Sequence, residues 1–233
     1  MGIVVIFSCD RIDLLACFSG KGVEMIPNYS TTKIPQGLPL RQLIELGSPM
    51  PPFIQELREK IRNGKKWQTR RPLNPQPAAG VRQSVFVKSG LEDGHGYELH
   101  PKYPDGLRYL REPLCKGADG LAHYRDDQSV VIDRDGQYIK WRWQRDVLTQ
   151  IFMPRDAARF FVNWEVVGIQ RIMDIKIEEV KAEGIGHTLN YGPILYEEFK
   201  RLWNSINAKR AFDFDSNPYV WVYEFHPYQR GNQ

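Results

Sequence analysis

Cysteine is scarce in this chain: Cys9, Cys17 and Cys115 are the three in 233 residues, and no two stand as Cys-x-x-Cys. So few, and an odd number, exclude a disulfide scaffold and point to a reducing compartment. His95, His100, Cys115 and His123 share one region, but their intervals match no zinc spacing, so neither a metal site nor a cofactor is expected. Long apolar runs are equally rare. The run Ile3-Val4-Val5-Ile6-Phe7 is interrupted by Asp10, Arg11 and Asp13 far short of a bilayer's thickness, and no basic leader precedes it. A membrane span and a secretory signal are therefore not expected, and the cytoplasm is the expected location. There is no internal repeat, no heptad series and no low-complexity tract, which argues against repeat arrays and coiled coils. A formal net charge of +4 is too small to name a partner by itself.

What is present is an ordinary soluble composition, 42% hydrophobic and 26% charged. Six tryptophans and eleven tyrosines supply flat rings for a core or a recognition surface. Residues 1–49 read as a loosely organised leader or extension, punctuated by Pro27, Pro35, Gly37, Pro39, Gly47 and Pro49. Its first apolar run is either a strand or a segment outside the main fold, Met25 and Met50 are alternative internal starts, and residues 40–46 suit a short helix. The main domain is expected over residues 50–226, followed by a tail at 227–233.

The spacing predicts a helix over residues 51–62, with prolines in its first turn and Phe53, Ile54, Leu57 and Ile61 on one face. Arg58 and Arg62 lie off that stripe. Asn63-Gly64 terminates it, because both residues accept left-handed backbone angles. Short strands are expected at 85–87, 109–112 and 138–143, and the strongest ones at 160–172 and 219–225, rich in β-branched and aromatic residues. Helical pieces are expected at 178–183, capped by Gly184, and at 195–206. Residues 88–106 and 114–137 are glycine-rich, polar and turn-prone, and long irregular segments in a domain are functional or mobile. Strands are not regularly separated by helices, so the class is α+β with a mostly antiparallel sheet, closed or strongly curved.

Charge concentrates in one place. From Arg58 to Arg71 there are seven Lys or Arg and one acid, Glu59. Such a stretch can neutralise phosphates, or it can be a solvated helix face. At its end, Lys66 and Thr69 stand three residues apart beside Trp67, Arg70 and Arg71.

Four segments together resemble the ASCH family of the PUA-like superfamily of small β-barrels. Gly64-Lys65-Lys66-Trp67-Gln68-Thr69-Arg70-Arg71 is similar to its Gly-x-Lys-Thr-x-Thr-x-Arg signature, with Trp67 in place of the usual threonine. Leu107-Arg108-Tyr109-Leu110-Arg111-Glu112 is similar to its strand ending in Val-Arg-Glu, with the preceding Gly-Asp reversed as Asp105-Gly106. Met153-Pro154-Arg155-Asp156-Ala157-Ala158-Arg159, and the pair Leu202–Asn207 and Asn217–Phe225, resemble longer members found in bacteriophages and prophages. The resemblance runs from about Met50 to Phe225. It implies a PUA-like barrel with a cleft for a base or nucleoside, RNA or a nucleotide as partner, and the host cytoplasm as location if the chain is phage-encoded.

In the family's amidohydrolases a lysine, a threonine three residues later and a distant glutamate form the site, which implies Lys66, Thr69 and Glu112 as catalytic residues here. A threonine hydroxyl becomes a nucleophile when a base removes its proton, and a lysine in an apolar, cation-rich setting has its pKa lowered enough to be that base. Lys65, Trp67, Arg70, Arg71 and Arg111 are the expected nucleic-acid contacts, by phosphate pairing and stacking. Simpler roles stand beside these: Lys66 as a phosphate contact, Thr69 bonding the backbone, Glu112 in an ion pair with Arg111, Arg70 or Arg71. The expected function is recognition of RNA or a modified nucleobase in a basic cleft. The alternatives are hydrolysis of an N4-acylated cytidine, ribonuclease action, and a phage accessory protein that binds a host protein through the loops at 88–106 and 114–137.

Overall fold

Alternating apolar residues and tight turns organise this chain into antiparallel ladders. The computed structural model describes residues 35–77, 100–186 and 192–228 in full, together with the backbone of the strands at 4–9, 12–19, 22–27, 91–92 and 98–99. Two compact units are present, Met1–Pro35 and Gln36–Gln233. The first is an antiparallel meander of β1 (Val4–Cys9), β2 (Ile12–Ser19) and β3 (Gly22–Pro27), in the order β1-β2-β3. The division therefore falls earlier than the expected 49/50. Helix α1 (Leu40–Leu46) and the two-residue strand β4 (Ser48–Pro49) belong to the second unit, where Leu43 and Ile44 are buried.

Helix α2 is shorter than its pattern suggests, Gln55–Arg62, because residues up to Ile54 keep extended angles. Phe53, Leu57 and Ile61 are buried as expected, whereas Ile54 is exposed. Arg58 was expected on the outer side and is instead buried, its guanidinium held by both Asp126 oxygens at 2.8 and 2.7 Å and by the Phe53 carbonyl at 2.6 Å. A guanidinium enters an interior only when its donors are satisfied in this way.

After α2 come β5 (Gln68–Pro72), the paired two-residue strands β6 (Leu91–Glu92) and β7 (Glu98–Leu99), and β8 (Gly106–Tyr109). The expected strand at 85–87 lies outside the described residues. A small antiparallel sheet follows, made of β9 (Leu114–Lys116), β10 (Ala122–Tyr124) and β11 (Val147–Leu148) in the order β10-β9-β11. Part of the expected irregular region at 114–137 is therefore paired. Residues 138–143 form isolated bridges at Tyr138 and Lys140 rather than a strand, with Trp141 and Trp143 packed edge-on at 4.8 Å.

The framework is completed by β12 (Phe161–Arg171), α3 (Ile177–Ala182), α4 (Gly192–Asn207) and β13 (Tyr219–Pro227). The main sheet has the order β4-β8-β12-β13-β5 and is antiparallel except where β4 joins β8. It is strongly curved into a half-barrel, so the chain is a mixed α+β fold with a few helices. A register shift between Val166 and Gly168 adds one residue to β12, and such bulges increase local twist.

Register assigns the two faces. Val162, Trp164, Val166, Tyr223 and Phe225 share one face and pack with Phe53, Leu57 and Ile61. Val220 faces the other way and packs with Leu195, Phe199 and Trp203, which recur every four residues along α4. Strand β5 forms one edge of the sheet, between these two helical layers.

Candidate functional site

The basic segment reaches the sheet edge through a sharp turn. Gly64 adopts φ +66°, and the N–H groups of Lys65 and Lys66 both donate to the Lys60 carbonyl, at 2.7 and 3.1 Å. Trp67 then bridges two elements: its N–H donates to the Ala182 carbonyl at 3.0 Å, and its carbonyl accepts from Phe225 at 2.8 Å. Beyond it, Thr69 pairs with Tyr223 and Arg71 with Trp221.

A cleft of about 70 Å³ lies against this edge, lined by Lys66, Thr69, Arg70 and Arg71 of the basic segment and by Glu183. Phe53 and Leu57 from the α2 side, and Leu202 and Trp203 from α4, make its apolar walls. Room for roughly five water molecules suits a phosphate, an acyl group or the edge of a base.

Lys66 is 2% exposed, and its ammonium has an acceptor for each of its three hydrogens. These are the Gln68 carbonyl at 2.8 Å, the Glu183 carbonyl at 2.9 Å and Glu183 Oε2 at 2.5 Å. Burial lowers its pKa from 10.5 to about 8, Glu183 opposes the shift, and Arg71 and Arg70 add to it. Arg70 is compensated as well, with Nη1 on Glu183 Oε1 and Nη2 on Glu179 Oε1, both at 3.1 Å.

Arg71 differs. Its Nη2 donates to the Pro52 carbonyl at 3.1 Å and its guanidinium lies 4.9 Å from the centre of the Phe53 ring, while its buried Nε has no partner among the described residues. No carboxylate pairs with it among the described residues. Desolvation holds its pKa below the usual arginine value. The Thr69 hydroxyl likewise has no hydrogen bond among the described residues, and Thr69 lines the cleft.

Glu112 does not join this group. It is fully buried in a separate cluster, where Arg159 Nε and Nη2 approach at 2.8 and 2.7 Å and Arg62 Nη1 at 2.6 Å. Strand β8 ends at Tyr109, so residue 112 follows the chain toward β9 instead of staying on the sheet. Its ion pair is real, but the partners are Arg62 and Arg159 rather than Arg70, Arg71 or Arg111. The carboxylate facing Lys66 belongs to Glu183, the residue that ends α3. Only the physical rule that a buried lysine needs an acid could have indicated such a residue, and it does not say which acid.

Of the expected nucleic-acid contacts, Arg70 and Arg71 line the cleft. Lys65 is exposed, Trp67 is half-buried outside the cleft, and Arg111 donates to the Met50 carbonyl at 3.1 Å. Two further buried polar residues, Arg108 and Tyr223, lie on the α2-facing side of the sheet, and no local sequence signal marks either as functional. Among the described residues no group of three or more His, Cys, Asp or Glu is placed to hold a metal ion, and no helix is long and apolar enough to cross a membrane. Comparison with models of known families, with curated proteins and with solved structures finds no match to this chain.

Proposed function

We propose that the chain is a nucleotide-binding protein of ASCH type on a PUA-like barrel, recognising RNA or a modified nucleobase in the cleft beside β5. The observation that carries this reading is the mixed lining of the cleft. Arg71, which pairs with no carboxylate among the described residues, and the Thr69 hydroxyl stand beside the apolar Phe53, Leu57 and Leu202. A nucleotide has the matching halves: an anionic phosphate for the guanidinium and a flat, weakly polar base for the apolar wall. The order of the four resembling segments along the chain supports the same assignment.

The test is fluorescence anisotropy with labelled single-stranded RNA at low and at moderate salt, using the full chain and Arg71→Met. Binding should weaken as salt rises and fall by roughly tenfold in the variant, the loss of one charge-assisted contact. RNA binding that ignores both salt and Arg71 defeats the reading.

A second reading has its own support. The lowered pKa of Lys66 and the unpaired Thr69 hydroxyl suit an amidohydrolase, with Glu183 rather than Glu112 as the acid beside the lysine. Neutral Lys66 would take the Thr69 proton as the oxygen attacks an N4-acyl carbonyl, its ammonium would pass that proton to N4 as the C–N bond breaks and cytidine leaves, and water would then cleave the threonyl ester to release the acid and free Thr69. Against it, all three ammonium hydrogens of Lys66 are already engaged. Incubation with N4-acetylcytidine decides: turnover abolished in Thr69→Ala supports this reading, and no cytidine released removes it.

A further inference from the structure

Register places a band of polar and aromatic side chains across four strands on the α2-facing side of the sheet. Arg108 lies on β8, Trp164 on β12, Tyr223 on β13, and Thr69 and Arg71 on β5. Tyr103 closes over it, 6.1 Å from the Tyr223 ring and 6.2 Å from Trp164. Arg108 sits 5.5 Å from the Tyr103 ring centre and 5.6 Å from that of Trp164.

Among the described residues, three buried polar atoms in this band have no hydrogen-bond partner: Arg71 Nε, Arg108 Nε and the Tyr223 hydroxyl. Tyr223 is 0% exposed and Arg108 5%. Backbone oxygens hold the rest of each arginine: Pro49 and Pro104 accept from Arg108 at 3.2 and 2.6 Å, and Pro52 accepts from Arg71. Neither guanidinium is paired with a carboxylate among the described residues. Asp105, the acid acting on Arg108, accepts from the Val166 N–H at 2.6 Å. The Tyr103 backbone lies near the Tyr223 hydroxyl without forming a well-aligned bond. Burial lowers the pKa of both arginines and raises that of Tyr223, so the phenol stays protonated at neutral pH.

We propose that Arg108, Tyr223 and Arg71 form an oxyanion subsite that takes a phosphate group. Arg108 is buried and Arg71 half-buried, and neither makes a direct ion pair with a carboxylate among the described residues; such cations are costly, and an anion is the ligand that removes that cost. The unused groups are all hydrogen-bond donors, and the Thr69 hydroxyl, opposite Tyr223, adds another. Water accepts two bonds and carries no charge, so it satisfies part of this demand and neutralises nothing. The donors come from three strands rather than from one flat fork, which suits the tetrahedral oxygens of phosphate better than a planar carboxylate. Where the proposed function holds, this subsite receives the nucleotide's phosphate. It does not depend on that reading, because free phosphate has the same chemistry.

The experiment is isothermal titration of the full chain with inorganic phosphate, a ribonucleoside monophosphate and the matching nucleoside, at constant ionic strength. The variants are Tyr223→Phe, which removes a single buried hydroxyl, and Arg108→Gln. Phosphate should bind the unaltered chain, with affinity falling roughly tenfold in Tyr223→Phe and below detection in Arg108→Gln. A monophosphate that binds more tightly than phosphate, with the nucleoside weakest, identifies a nucleotide as the source. Equal binding of phosphate and monophosphate identifies free phosphate, which keeps the subsite and removes the nucleotide reading. No heat with phosphate, or binding unchanged in Tyr223→Phe, overturns the proposal even if Arg108→Gln fails to fold.

Discussion

Glu183 holds Lys66 twice, through its backbone carbonyl at 2.9 Å and through its carboxylate at 2.5 Å, and so ties the end of α3 to the start of β5. Both residues are buried. Removing one member leaves the other charge without compensation, which costs about 3–5 kcal/mol. Glu183→Gln should therefore lower the urea midpoint strongly and loosen Arg70 with it, since Arg70 shares the same carboxylate.

The same lysine sets a pH dependence of definite sign. Its pKa in the folded chain, about 8, lies below the ordinary 10.5, so between those values the unfolded chain binds more protons. Stability from this group is lowest below about pH 8 and rises with pH through that window. Urea unfolding at about pH 7.5 and about pH 9.5 should show the unaltered chain gaining about 2 kcal/mol relative to Lys66→Met. A difference between the two proteins that does not change with pH contradicts the assignment.

Glu112 is expected to be structural. Glu112→Ala removes the fully buried acid between Arg62 and Arg159, leaving them the more exposed Asp127, and should cost about 3 kcal/mol of stability. Affinity for ligands of the β5 cleft should stay within about twofold, as expected for sites without shared partners. Measuring both quantities on one preparation separates a folding role from a binding role.

Gly184 supports the Lys66 position from behind. It adopts φ +87°, and a Cβ there would lie 3.1 Å from Lys66 Cβ and 3.2 Å from Lys60 Cδ. Gly184→Ala should destabilise by about 1–2 kcal/mol through backbone strain and crowding. It should also weaken cleft binding, because the lysine must shift. Thermal unfolding and RNA anisotropy read the two effects.

The sequence disclosed some of this and concealed the rest for physical reasons. Residues 160–172 and 219–225 announced their strands because β-branched and aromatic residues fill both faces of a buried pair, and Gly184 announced the end of α3 through its backbone freedom. Arg58 misled, because helical spacing reports which side of a helix a residue occupies and not whether Asp126, far along the chain, arrives to neutralise it. The site was half legible. Lys66, Thr69, Arg70 and Arg71 are local to one segment and visible as such. Glu183 and Tyr223 reach Lys66 and Thr69 through helix docking and sheet register, and Arg108 reaches Tyr103 and Trp164 in the same way, which no short window records. The resemblance implies a place for Glu112 beside Lys66, but β8 ends at Tyr109 and the chain carries residue 112 toward β9.

The central claim, that the β5 edge receives a nucleotide, is tested most directly by backbone amide NMR during titration with cytidine monophosphate. The account predicts saturable shifts centred on Thr69, Arg70 and Arg71, reduced in Arg71→Met. Shifts that cluster away from β5, or none up to millimolar ligand, contradict it.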